Sequence, residues 1–421
     1  MTAALFPYQE EGARRLAERS KLYLGDDVGL GKTRTVLRGL QLAGVTDAVV
    51  LCPAVVRQHW HDEAAALEYH GRLTVLSYQK FVLSPEILTA GHMGWGALIL
   101  DEAHYLKRPE SKRTELIMGP GGIHEAFDRV WPVSGTPMPR NPMELHPVLA
   151  ALWPKRLQAL GVLRPGAWLN RYCLWRAGEY GPRIYGARPE ALMELKELLA
   201  LVMLRRRAVD VAPEMPPASW GTVTVEAEDL ASLPYLNAET AAALERGELP
   251  PMDANLARYL HAVGDLKAPY VAQLIGEELE NDLQAKRVIF AHHRSALTLL
   301  AQGLSAHGVV TVDGSVPEEQ RRERVKVFQT HPTCRVFLGQ IEACATGMDG
   351  LQRAGCHDIA ILEPSWASDR NVQAAGRVAR LGQPLPVRAR MFALAGTVDR
   401  AVVRNHHHEA AMRRGVLDAS T

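Results

Sequence analysis

Residues 21–35 read KLYLGDDVGLGKTRT, and the punctuation of this stretch decides the fold. A short apolar run, Leu22-Tyr23-Leu24, gives way to a loop with glycines at 25, 29 and 31, and an amphipathic helical pattern begins at Lys32. Strand, loop and helix in that order make a phosphate-binding loop. Glycine lets the backbone fold back so that successive N–H groups converge on an anion. The start of the helix adds its partial positive charge. Here Gly29, Leu30, Gly31, Lys32, Thr33 and Arg34 would surround the phosphates of a nucleoside triphosphate. Lys32 would reach the β and γ groups and Thr33 would hold Mg²⁺. The strict pattern G-x-x-x-x-G-K-[ST] is not met, because Asp26 stands at its first glycine. The bland alternative is a glycine-rich turn with a surface lysine.

Outward from this loop, apolar runs alternate with helical patterns. Strands are expected at Ala48–Cys52, Leu73–Leu76, Ala97–Leu100 and Arg129–Val133, with a helix running to about Leu67 after Pro53. Such alternation implies a doubly wound parallel sheet. Its ligand site lies beyond the carboxyl ends of the strands. The Lys32 loop, Asp101-Glu102-Ala103-His104 and Ser134-Gly135-Thr136-Pro137 all fall at such ends. Asp101 is placed to hold Mg²⁺ through water, and Glu102 to orient or deprotonate an attacking water. Pro132 sits awkwardly in this scheme, since proline removes a ladder donor from a central strand.

From 150 to 281 the texture is mainly helical, broken at Pro154, Pro165-Gly166, Pro182, Pro213, Pro216-Pro217 and Pro250-Pro251. Trp168, Tyr172 and Trp175 have helix spacing and read as core. The run Arg205–Arg207 suits either DNA phosphates or a solvated or carboxylate-paired helix end. Strand–helix alternation then resumes, with strands at Val288–Ala291, Val309–Val312, Val336–Leu338 and Ile359–Leu362. The run Val387–Phe392 alternates as an edge or half-exposed strand does. This half has no second G-K-T loop, but Asn371–Gln383 (NVQAAGRVARLGQ) offers other chemistry. On a helix, Gln373, Arg377 and Arg380 share one face. Two such arginines can reach across a cleft and stabilise charge on a transferring phosphoryl group.

Composition sets wide bounds. The chain has 421 residues, 47% hydrophobic and 23% charged, with a formal net charge of +1. Two or three domains follow from the length, and any basic surface must be local. Cys52, Cys173, Cys334, Cys344 and Cys356 form no C-x-x-C pair, which argues against zinc and a disulfide framework and for a reducing, cytoplasmic compartment. No signal peptide and no membrane span is expected. His406-His407-His408 reads as a solvated segment.

Several blocks, taken in order, resemble the superfamily-2 helicase ATPases, and specifically the Swi/Snf-type DNA translocases. Pro7-Tyr8-Gln9 resembles the adenine-reading motif, and Asp26 to Thr33 the DEMGLGKT box with Asp27 and Val28 in place of Glu and Met. Cys52-Pro53 with Trp60, and Ser77-Tyr78, resemble the next two blocks. Asp101 to His104 with Lys107, and Ser134 to Pro137 with Asn141 and Glu144-Leu145, resemble the DEAH and SGTP segments. Met203–Arg206 resembles the M-L-R-R segment, Ala345 to Asp349 the motif before the arginine block, and Gln373 to Gln383 that block itself, with Ala379 in place of histidine. Gly396–Asp399 resembles the closing segment. Phe290–His293 and Asp313–Ser315 resemble the fork-remodelling, annealing-helicase branch.

The resemblance implies two RecA-like, doubly wound α/β lobes with helical protrusions between them. Residues 1–212 would form lobe 1 with a protrusion at about 152–202. Residues 213–421 would form lobe 2 with a protrusion at about 226–263. It implies ATP and Mg²⁺ as ligands, with Gln9, Asp27, Gly347 and Asp349 added to the nucleotide site. It implies a grip on DNA, duplex or forked, through Arg57, Tyr78, Thr136, Arg294 and Thr346. The expected activity is ATP-driven translocation on duplex DNA by a monomer, with room for a separate targeting protein. The rivals are a strand-separating helicase and a nucleotide-gated protein remodeller.

Overall fold

The computed structural model describes residues 4–418, apart from 89–94, 179–180, 213–217, 246–252, 345–347, 349 and 381. The chain divides into two units, Met1–Val211 with Ala411–Thr421, and Ala212–Ala410. The expected second lobe, 213–421, therefore loses its end to the first unit. The reason is apolar: Val416 is buried in the first unit's core and Leu417 packs against it.

The first unit is built on six parallel strands in the order β3-β2-β4-β5-β1-β8. These are β1 (Tyr23–Leu24), β2 (Asp47–Cys52), β3 (Arg72–Ser77), β4 (Trp95–Asp101), β5 (Phe127–Val133) and β8 (Met203–Leu204). Successive side chains on a strand face opposite ways, and the core obeys this. Val49, Leu51, Leu98 and Leu100 enter one apolar cluster, whereas Ala48, Val50, Ala97 and Ile99 enter another. Helices therefore cover both faces, which is why these strands are almost uninterruptedly apolar.

Pro132 does sit inside a central strand, between β4 and β1. Val130 N–H donates to Ser20 O at 2.8 Å and Ser134 N–H to Leu24 O at 3.0 Å. The missing donor falls between them, opposite Leu22, where the β1 ladder is interrupted. The sheet accommodates the proline by having only a two-residue β1.

The expected helical protrusion at 152–202 contains a hairpin. β6 (Cys173–Arg176) and β7 (Arg183–Ala187) pair antiparallel as a separate sheet between the helices Pro165–Tyr172 and Leu192–Val202. Trp168 and Tyr172 are buried as expected, but Trp175 lies on β6 and is exposed. The helical spacing was coincidental beyond Tyr172.

The second unit repeats the plan with β9 (Ala218–Val225), β10 (Arg287–Ala291), β11 (Val309–Val312), β12 (Val336–Gln340), β13 (Asp358–Ile361) and β14 (Val387–Leu394). All are parallel, in the order β11-β12-β10-β13-β14-β9. β14 is neither the edge nor the half-exposed strand expected, because β9 pairs with it along its whole length and every residue but Arg388 is buried. The alternation in β14 comes from ion pairs instead: Arg390 is buried between Asp358 and Glu278, and exposed Arg388 also reaches Asp358. His406 corrects the expectation of a solvated segment. It is buried on the helix Asp399–Leu417, its ring 4.6 Å from Trp220, while His407 and His408 are exposed. All five cysteines are buried free thiols.

Candidate functional site

The carboxyl ends of β1, β4 and β5 bring the loop Gly25–Gly31, Asp101-Glu102 and Ser134–Thr136 together. Gly29 and Gly31 have φ of 89° and 70°, a region that glycine enters without Cβ strain. The helix Lys32–Leu42 starts directly from Gly31. Lys32 Nζ donates to the carbonyls of Asp26 at 3.0 Å and Asp27 at 2.9 Å. Burial lowers the Lys32 pKa, and Glu102, Asp26, Asp101 and Asp27 act against that fall. One ammonium thus sits among four carboxylates. A Cβ on Gly135 would lie 3.0 Å from Lys32 Nζ and 2.7 Å from Val28 Cγ2. Only glycine leaves that space beside the lysine.

Gln9 is buried on the first helix, Pro7–Glu18. Its Nε2 donates to Leu30 O at 3.0 Å, and Tyr8 Oη donates to the same carbonyl at 3.2 Å. Gln9 therefore braces the loop from behind. Arg34 pairs with Glu63 at 3.3 Å, on the helix Arg57–Ala66.

The loop has a second brace, which reading the sequence left undecided. Arg206 donates to both Asp26 carboxylate oxygens and to Tyr8 O, and its backbone N–H donates to Asp26 Oδ1 at 3.0 Å. Arg205 donates to Asp27 Oδ1 at 2.9 Å, Gly25 O at 2.7 Å and Asp418 Oδ1 at 2.8 Å. Arg207 pairs with Asp210. All three arginines follow the carboxylate-paired alternative. Asp26, the departure from the glycine pattern, is the residue that Arg206 holds.

Asp101 ends β4 with its carboxylate fixed on two sides. Trp60 Nε1 donates to Oδ2 at 2.8 Å and Glu102 N–H to Oδ1 at 2.9 Å. Burial, and then the Glu102 charge, push its pKa up to about 6. Trp60 is the partner that sequence reasoning missed. The signal was available, since a buried indole N–H seeks an acceptor. Glu102 adopts φ 50°, left-handed and uncommon for a side-chain-bearing residue. Its Oε2 accepts from Ser134 Oγ at 3.3 Å and lies 3.1 Å from His104 Nδ1, which is 3.0 Å from Ser134 Oγ. With its proton on Nδ1, His104 donates into this pair and fixes where the Glu102 carboxylate points.

The expected DNA-contact residues scatter. Arg57 and Arg294 are exposed, the latter paired with Asp313 at 3.2 Å. Tyr78 is buried and donates to Asp101 O at 2.8 Å, and Thr136 is buried with its N–H on Ser134 Oγ. Neither presents a hydroxyl at the surface: Tyr78 Oη is held at the end of β4, and the Thr136 Oγ1 atom is buried without a hydrogen-bond partner among the described residues. Thr346, Gly347 and Asp349 lie outside the described residues. The shared helical face of Gln373, Arg377 and Arg380 is also corrected. The helix Ser368–Ala375 stops at Gly376, so only buried Gln373 is helical. Arg377, half-buried in the turn beyond, donates to Met348 O at 3.2 Å, and Arg380 is likewise half-buried.

A glycine loop with a half-buried lysine, beside an acidic pair at the end of a parallel strand, defines a helicase-like nucleoside triphosphatase built on two α/β lobes. Residues 67–249 match the SNF2-related domain, and residues 267–382 the helicase conserved C-terminal domain. The chain belongs to the SNF2-related helicase ATPases. It is 26% identical over 424 residues to the SWI/SNF-related matrix-associated actin-dependent regulator of chromatin subfamily A-like protein 1 of Drosophila melanogaster, covering 94% of this chain and 53% of that protein. It is 26% identical over 434 residues to the DNA annealing helicase and endonuclease ZRANB3 of Mus musculus, covering 94% and 39%. The chain thus spans about half or less of the length of these relatives. Among solved structures, the Sulfolobus solfataricus SWI2/SNF2 ATPase core in complex with dsDNA aligns over 100% of this chain and 98% of that one. Its identity is 17% and its TM-score 0.44, too loose a likeness to add to the topology. No helix among the described residues is long and apolar enough to cross a membrane.

Proposed function

We propose that this chain is an ATP-driven motor on double-stranded DNA, coupling hydrolysis to movement along the duplex. The observation that carries the ATPase reading is the convergence of Lys32, Asp101 and Glu102 behind a loop whose glycines adopt positive φ. The residues fit a triphosphate with Mg²⁺: hydroxyl and carboxylate oxygens suit that hard cation, and the space beside Gly135 leaves Lys32 Nζ approachable. When bound, Mg²⁺ supplies charge neutralisation on the β- and γ-phosphates.

In this reading Lys32 turns from its loop carbonyls to the β/γ-phosphates, while the backbone of Gly29–Thr33 cradles them. Thr33 and Asp101 hold the cation. Glu102, aimed by Ser134 and His104, orients the attacking water and takes its proton. Gln9 reads the base edge while bracing Leu30. Arg377 and Arg380 are assigned to the γ-phosphate charge that builds in the transition state. DNA as the track is supported by the helicase C-terminal domain and by the likeness to a DNA annealing helicase.

Steady-state ATP turnover with and without blunt duplex DNA tests this. Wild type is expected to be stimulated. Lys32→Ala and Glu102→Gln are expected to lose at least ~100-fold in kcat, within the range for a general base, with Glu102→Gln still binding ATP. Wild-type turnover in either variant contradicts the site. Turnover indifferent to DNA favours a protein remodeller.

A further inference from the structure

We propose that Trp60 is a positioning residue of the cation site: its indole N–H fixes the Asp101 carboxylate and ties Mg²⁺ binding to the helix Arg57–Ala66, so that DNA phosphate held at the start of that helix tightens Mg²⁺. The inference rests on the reading of this chain as an ATP-driven motor on DNA and names how DNA would act on the hydrolytic site.

The last torsion of an aspartate side chain is soft, so a carboxylate that must meet a cation needs something to stop it turning. Two N–H groups do so here. Oδ1 accepts from Glu102 N–H at 2.9 Å, and Oδ2 accepts from Trp60 Nε1 at 2.8 Å. The first donor is the next residue and travels with Asp101. The second lies 41 residues away and is placed by a different element. A carboxylate offers about four lone-pair sites, so these two bonds orient Asp101 without filling it.

The helix that carries Trp60 makes this bond responsive. Trp60 is fully buried and, with Ala64, seats the helix on the first unit, while Arg57, Gln58, His61 and Asp62 are exposed. The side chain that anchors the helix is therefore also the donor to Asp101, and a shift of the helix moves that donor. One turn further on, Glu63 pairs with Arg34 at 3.3 Å, on the helix Lys32–Leu42 that starts at the phosphate loop. A single turn thus reaches both the acidic strand end and the phosphate-loop helix. Arg57 stands one turn before Trp60, exposed, with its Nε donating to Ala54 O at 3.3 Å. A phosphate bound there acts on the first turn of the helix, three residues from the indole. Losing a partner that orients a metal ligand costs 10–100-fold in metal affinity or activity as an order of magnitude. The coupling is reciprocal: if DNA tightens Mg²⁺, the Mg²⁺-bound nucleotide tightens DNA by the same factor.

The test is equilibrium binding of a fluorescent, non-hydrolysable ATP analogue to the full chain, read by anisotropy with and without Mg²⁺, each with and without blunt duplex DNA. Wild type is expected to gain affinity with Mg²⁺, and to gain more when DNA is present. Trp60→Phe keeps an aromatic ring and loses the N–H. Its smaller ring loosens packing in both conditions alike, so the ratio of affinities with and without Mg²⁺ isolates the N–H. Without Mg²⁺ the variant should bind within about twofold of wild type. Its gain from Mg²⁺ should shrink by at least about tenfold, and DNA should add nothing to that gain. Equal losses with and without Mg²⁺ mean that Trp60 only packs, and overturn the proposal, as does an undiminished gain from Mg²⁺. The same DNA increment in the variant as in wild type overturns the link through the helix. A wild-type chain that binds the analogue but no DNA overturns the motor reading itself, whereas one that binds both, beside a Trp60→Phe chain that behaves like it, overturns the role of Trp60 alone.

Discussion

Asp101 and Arg206 both owe their behaviour to burial, but the outcomes differ. The Asp101 carboxylate receives two N–H groups, yet desolvation and the Glu102 charge outweigh them and its pKa stands at about 6. A cation ligand must be ionised, so on the proposed role activity is lost as pH falls through that value. We expect an acid limb near pH 6 in kcat/KM, which reports the free enzyme. The limb should move lower in kcat, because a bound cation favours the ionised form. A pH-independent kcat/KM between pH 5 and 7 would remove Asp101 from the cation site. Arg206 faces a different balance. Its partner Asp26 is fully buried, and removing one member of such a pair leaves an uncompensated charge, costing ~3–5 kcal/mol. That is a large part of the ~5–15 kcal/mol a domain holds. Arg206→Met should therefore shift the urea midpoint of the first unit's transition strongly downward, and the double variant Asp26→Leu/Arg206→Met should recover much of the loss. A single variant as stable as wild type would show that the pair does not brace the loop.

At the scale of elements, strands buried on both faces were legible because a continuous apolar run between glycine or proline breaks has few other readings. β2, β10, β12 and β13 are such runs. The elements missed were short or half-exposed. β8 is two residues long, and the hairpin's aromatic spacing imitated a helix as far as Trp175. β9 carried a usable signal in Thr222-Val223-Thr224-Val225, a β-branched run, but it followed a proline cluster in a stretch read as helical. The arginine block misled for a related reason: one-face spacing presumes a helix that in fact ends at Ala375. Packing between elements yields a sharper test. Gly264, on the helix Ala254–Asn281, faces Glu363, and a Cβ there would lie 2.1 Å from Glu363 Oε1. Helix propensity favours Ala over Gly by about 1 kcal/mol. Against it, buried Glu363 accepts from His292 N–H at 2.8 Å, His293 N–H at 2.9 Å and His293 Nδ1 at 2.6 Å. Hydrogen bonds to a charged group are worth ~1.5–3 kcal/mol each, so displacing it outweighs the propensity gain. Gly264→Ala is expected to destabilise the second unit by at least ~2 kcal/mol in denaturant titration. A neutral or stabilising result would mean that the Glu363 cap yields without loss.

For the whole molecule, the two-lobe plan was readable from the order of its motifs, and the class of chemistry from one loop and one acidic pair. The end of the chain was not readable. Residues after Ala411 look like a continuation of the helix that begins in the second unit, and only packing assigns Val416 to the first unit's core. Nor does the sequence show that Trp60 and Tyr78 bond to Asp101, because they lie far from it along the chain and meet it only at the strand ends. Such an assembly can hydrolyse ATP without moving anything, so hydrolysis alone does not establish a motor. Displacement of a third strand from a DNA triplex reads movement along the duplex directly, because the third strand leaves without any separation of the duplex strands. Wild type is expected to displace it in the presence of ATP and Mg²⁺, while Glu102→Gln, able to bind ATP but not turn it over, leaves the triplex intact. A wild-type chain that hydrolyses ATP on duplex DNA and leaves every triplex in place would contradict the translocation claim.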